Sequence, residues 1–81
     1  MPTKRNHATI YRKVPPYLRK LREEAGLTQR ELAASIGQSQ WWVARSETGS
    51  RRLDVAEFID FCAGCGVEPT YALRNLMKLR R

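Results

Sequence analysis

Cysteine and histidine are scarce in this chain, and long apolar runs are missing. Two cysteines in 81 residues, Cys62 and Cys65, cannot build a disulfide scaffold. The single histidine, His7, lies far from them in sequence, and the three together fall short of a four-ligand structural zinc site. Plain core packing is therefore the expected role of the cysteines, and an exposed position that of His7. No stretch is apolar enough to span a bilayer, and the start, MPTKRNHATIYRKVPP, lacks the apolar core of a secretory signal. The expected compartment is the cytoplasm. No run alternates apolar and polar residues with a period of two, so no strand is expected. There is no nucleophile–base pairing and no acidic metal cluster, which argues against an enzyme and against a bound cofactor or metal.

Acidic residues are absent from both ends. Seven Lys or Arg lie between Lys4 and Arg22 with no acid among them, and four more lie between Arg74 and Arg81. Residues 23–70 hold four bases and all eight acids, so the middle is net −4 within a chain of net +7. Basic charge of this size points to a polyanionic partner, though it says nothing of fold. Its distribution says more. Arg45, Arg51 and Arg52 cluster, whereas Asp54, Glu57 and Asp60 follow in the next segment. Sorting of this kind suits a binding face with a solvated back.

What remains is helical. The length makes one domain, small enough that self-association is a reasonable expectation. Residues 1–14 carry no apolar period, and Val14-Pro15-Pro16 stiffens the junction that follows. Residues 1–16 are expected to be a flexible basic arm and residues 17–81 the domain. From Tyr17, Leu18, Leu21 and Ala25 fall on one face. Thr28-Gln29-Arg30-Glu31 spells a capping box, so a second helix starts there with Leu32, Ala33 and Ile36 turned inward. Ser39 is a good N-cap for a third helix running to about Thr48. After a short basic loop, Asp54-Val55-Ala56-Glu57 starts a fourth helix, with Val55, Phe58, Cys62 and Cys65 at helical spacing. Pro69 opens a fifth, with Tyr71, Leu73, Leu76 and Met77 available to bury.

The second and third helices carry the chemistry. Where two helices meet steeply, the contact residue on the first must be small, the turn needs a residue free to take positive φ, and the second helix needs an apolar pin in its middle. Ala33, Gly37 and Val43 meet these needs. In LREEAGLTQRELAASIG, SQWWVARSETG and RRLDVAEFIDFCAGCGV, the chain resembles the phage-repressor-like (Cro/XRE-type) helix-turn-helix family over about residues 18–67. The resemblance implies an all-α, five-helix, lambda-repressor-like DNA-binding domain. It implies that Gln29 bonds a phosphate and braces the recognition helix, and that Gln40 reads adenine, for which an amide has both the donor and the acceptor. Trp41 and Arg45 are the other candidate base contacts. Thr28, Ser39, Trp42, Thr48, Ser50, Arg51 and Arg52 are candidate backbone contacts, aided by the dipoles of the second and third helices. Arg22 and Glu47 stand where the family has a semi-buried ion pair, whose expected role is geometry more than stability. Gln38 and Ser46 depart from the pattern by standing at usually apolar places, which implies looser packing of the third helix. Tandem tryptophan in a recognition helix is the other departure.

The resulting expectation is a sequence-specific regulator of double-stranded DNA, a repressor or controller protein of a phage, plasmid or genomic island, with no small-molecule domain. It would bind a pseudo-palindromic operator as a homodimer formed through the fifth helix and the preceding turn, Val67 to Met77. The competing expectations are a helix-turn-helix adaptor or antitoxin that binds a protein, favoured by the tandem tryptophan, and a non-specific DNA-binding accessory protein.

Overall fold

Capping chemistry and apolar spacing place the helices. A computed structural model describes residues 10–79, which form five helices: α1 Val14–Glu24, α2 Gln29–Ile36, α3 Gln40–Thr48, α4 Val55–Gly64 and α5 Pro69–Leu79. Among the described residues there is no strand. At α2, the Glu31 amide donates to Thr28 Oγ1 at 3.0 Å and the Thr28 amide donates to Glu31 Oε1 at 2.9 Å. At α4, Asp54 and Glu57 form the same reciprocal box, at 2.7 and 3.0 Å. Each box satisfies two backbone donors that a helix start otherwise leaves open.

The helices cross through a small shared core. Leu18, Leu32, Val43, Phe61, Cys62 and Ala72 have no exposed surface. Helix α3 packs on both α1 and α2, α2 also packs on α4, and α5 is held chiefly by α4. Tyr17 is buried and its hydroxyl donates to the Ala72 carbonyl at 2.8 Å, tying α1 to α5. Burial raises the Tyr17 phenol above its ordinary value, so it stays a donor.

Five sequence expectations are corrected. Helix α1 starts at Val14, not Tyr17, with both prolines in its first turn. Of the expected 1–16 arm, residues 1–9 lie outside the described residues. Residues 10–16, however, join the domain: Val14 and Pro15 are buried, and Tyr11 packs on the core. The physical reason is that proline's fixed φ suits a helix start, so the prolines open the helix instead of separating it from an arm. Val55 is 78% exposed, because it stands at the very start of α4 where its side chain points back beyond the helix. Ala25 is exposed at the α1 C-cap, where the helix has already ended. On α5, Tyr71, Leu73 and Met77 stay exposed and Ala72 is the buried residue, because Tyr17 draws that turn against α1. Finally, α3 is not loosened at Ser46. That residue is fully buried, and its hydroxyl donates to the Trp42 carbonyl at 2.9 Å, so its polar atom is satisfied within the helix.

Candidate nucleic-acid interface

The α2–turn–α3 segment positions the site. Gly37 caps α2 with φ of 71°, a left-handed conformation that a side chain resists. The Gln38 amide donates back to the Ala33 carbonyl at 2.9 Å, which closes the turn, and the Gln38 side chain faces solvent. Ser39 then caps α3 by accepting from the Trp42 amide at 3.1 Å. Val43, Ser46 and Glu47 form the inner face of α3, while Gln40, Trp41, Arg45 and Thr48 form the outer one.

A buried ion pair fixes α3 against α1. Arg22 donates to Glu47 twice, from Nε at 2.7 Å and from Nη2 at 3.0 Å, and from Nη1 to the Leu27 carbonyl at 2.8 Å. The two side chains are 11% and 2% exposed. The hydrogen bond to Glu47 raises the Arg22 pKa further, so the guanidinium is always charged. Two parallel bonds between planar groups set the rotation of α3 as well as its distance from α1.

From Glu47 a chain of side-chain bonds runs outward. Gln29 Nε2 donates to Glu47 Oε1 at 3.2 Å, and Gln40 Nε2 donates to Gln29 Oε1 at 3.4 Å. Gln40 Oε1 accepts from Arg30 Nη2 at 3.1 Å. The two glutamines singled out by the sequence are therefore brought together at the tip of α3. Arg30 was not among the candidates. Its signal was position: it follows Gln29 on α2, and any residue there sits beside the start of α3.

The remaining candidates divide into two groups. Trp41 is 70% exposed, with the Arg45 guanidinium 5.8 Å from its ring centre. Arg45 Nε also donates to Ser50 Oγ at 3.2 Å, and Thr48 and Ser50 lie within hydrogen-bond distance of each other at 3.3 Å. These four residues, with Gln40, Thr28, Ser39 and Arg52, keep exposed polar or aromatic surface at or beside α3. Trp42 and Arg51 are half-buried and have partners within the protein. Trp42 packs on the core and Arg51 lies 4.8 Å above its ring. Arg51 also grips Glu57 through both terminal nitrogens, at 3.2 and 3.1 Å, and that bond holds the Glu57 carboxyl below its usual range. Arg52 is exposed and stacks 4.3 Å over Tyr11, whose hydroxyl accepts from the Leu53 amide at 2.9 Å. Tyr11 was also missed, since nothing local in the sequence marks a residue whose partners lie some forty positions away.

Cys62 and Cys65 are buried free thiols, and burial pushes both pKa values up to about 11. A thiol in that state is a weak nucleophile at neutral pH. Among the described residues no cluster of three or more His, Cys, Asp or Glu could hold a metal, and no helix is long and apolar enough to cross a membrane.

The profile of a helix-turn-helix domain family matches residues 17–75. The chain belongs to the Cro/XRE-type helix-turn-helix family. An XRE-family-like protein from Pseudomonas syringae pv. tomato is 43% identical to it, with 95% of this chain and 94% of that one covered and a TM-score of 0.86. The wild-type restriction-modification controller protein C.Esp1396I is 27% identical, covering 82% of this chain and 87% of its own, at a TM-score of 0.76. The controller protein C.AhdI from Aeromonas hydrophila is 28% identical, covering 74% and 91%, at 0.68. No protein of curated function matches significantly. At the level of class, this XRE-type chain is a DNA-binding, regulator-type domain.

Proposed function

We propose that this protein is a sequence-specific regulator that places the outer face of α3 in the DNA major groove and acts by occupancy, without catalysis. The observation that carries the reading is Gln40, held at the exposed tip of α3 by Gln29 and flanked by Trp41 and Arg45. An amide offers adenine N7 a donor and N6 an acceptor, and an arginine one turn further on reaches the next base edge or a phosphate. Thr28, Gln29 and Ser39 near the start of α3, and Thr48, Ser50 and Arg52 at and beyond its end, serve as phosphate contacts. Arg51 and Trp42 serve the surface from behind, Arg51 by holding Trp42 and Glu57 in place. The likeness to two controller proteins supports a role as repressor or controller protein. The reading also includes a homodimer on a pseudo-palindrome, with recognition helices about 34 Å apart in successive major grooves; the apolar surface exposed on α5 supports it. The cytoplasm is the compartment where such an operator is reached.

Selection of sites from a random duplex pool at near-physiological salt tests this reading. An enriched inverted repeat with fixed half-site spacing is expected. In the Gln40→Ala variant, preference should relax at one base position per half-site by about 1–3 kcal/mol. Binding without enrichment would replace the reading with a non-specific accessory role. No binding would turn attention to a protein partner for Trp41, the one large aromatic that α3 leaves open.

A further inference from the structure

The bonds around Gln40 have a direction. At one end is Glu47, a buried carboxylate; at the other is Arg30, a guanidinium at the surface. Between them lie two amides. Glu47 accepts from the Gln29 amino group, the Gln29 carbonyl accepts from the Gln40 amino group, and the Gln40 carbonyl accepts from Arg30. Turning the Gln40 amide over would set its amino group against the Arg30 donors and its carbonyl against the Gln29 carbonyl. A carboxylate and a guanidinium cannot exchange roles, because one only accepts and the other only donates. The two charges thus dictate the sense of both amides, and each bond polarises the next.

We infer that Arg30 is a positioning residue for base recognition: it pins the Gln40 carbonyl, so that the amide meets the base edge with one fixed order of donor and acceptor. This rests on the reading of Gln40 as a base contact. With one amino hydrogen on Gln29 and one carbonyl lone pair on Arg30, Gln40 keeps one hydrogen and one lone pair free. These are the donor and acceptor that adenine N7 and N6 require. Without Arg30 only the Gln29 side of the amide is held, and the carbonyl side must be ordered when DNA binds, at a cost in side-chain entropy. Arg30 is exposed and no described bond ties it to the core, so its removal leaves the fold in place.

The experiment is a double-mutant cycle on DNA together with a measurement on the free protein. The affinities of wild type, Arg30→Ala, Gln40→Ala and the double variant are compared on the selected duplex and on one changed at the base that Gln40 reads. Arg30→Ala should cut discrimination between the two duplexes about 3- to 10-fold, as expected for directly bonded neighbours. It should cut it no further when Gln40 is already alanine, and Arg30→Lys should restore part of the loss. In the free protein, the Gln40 side-chain amide, seen by NMR, should be ordered in wild type and released in Arg30→Ala. An equal loss on both duplexes, unchanged by Gln40→Ala, would make Arg30 a phosphate contact and overturn the inference while leaving the reading of Gln40 intact. A Gln40→Ala variant that discriminates as well as wild type would overturn the reading itself, and the inference with it.

Discussion

Glu47 is the residue on which the recognition surface turns. Its carboxylate is nearly inaccessible, yet it takes two bonds from Arg22 and one from Gln29. A buried pair of this kind gives little net stability, because both charges lose their water, but removing one partner strands the other. Arg22→Ala should therefore destabilise the domain by about 3–5 kcal/mol, a large part of what a small domain has. Thermal unfolding measures this, and an unchanged melting temperature would show that Glu47 finds water or another donor. The pair was legible in the sequence only through family likeness. Nothing in the spacing of residues 22 and 47 announces that they touch.

At the scale of the helix, α2 and α4 approach closely because Gly64 has no side chain. A Cβ there would lie 2.6 Å from both Leu32 Cδ1 and Ile36 Cγ2, and Leu32 is fully buried. Alanine favours a helix by about 1 kcal/mol over glycine, whereas overpacking costs about 1–3 kcal/mol. Gly64→Ala should thus lower stability on balance, and a more stable variant in denaturant titration would mean that α4 can shift freely. The start of α4 has its own dependence on pH. Glu57 is held below its ordinary pKa by Arg51 and by the Asp54 amide, so it contributes stability above the unfolded value of 4.5, and that contribution is lost as pH falls through the folded pKa. Acid unfolding of Glu57→Gln should accordingly be shallower below pH 4.5 than that of the parent. Equal slopes would place the acid sensitivity elsewhere.

At the scale of the whole molecule, α4 and α5 leave apolar side chains exposed. Leu73 is 48% and Met77 55% exposed, and Ile59 and Val55 lie exposed on α4. Apolar surface left open on so small a domain suits a second copy, in keeping with the expected dimer through Val67 to Met77. Replacing Leu73 and Met77 with aspartate should shift sedimentation from dimer to monomer. It should also weaken binding to a full operator far more than to a half-site. Unchanged sedimentation would move the interface off α5.

The order and approximate ends of the helices were settled by the sequence. Capping boxes at Thr28 and Asp54, the N-cap at Ser39 and the glycine at 37 act within a few residues, so local chemistry suffices to read them. The same holds for the exposed placement of Gln40, Trp41 and Arg45 on α3. Tertiary structure decided what touches what across the chain. It buried Ser46 without harm, drew Tyr11 and the prolines into the domain, turned Val55 and Leu73 outward, committed Arg51 to Glu57, and set Arg30 on Gln40. Each depends on a contact or an exposure set by packing between helices. The cost or gain of such a contact appears only when the helices have met.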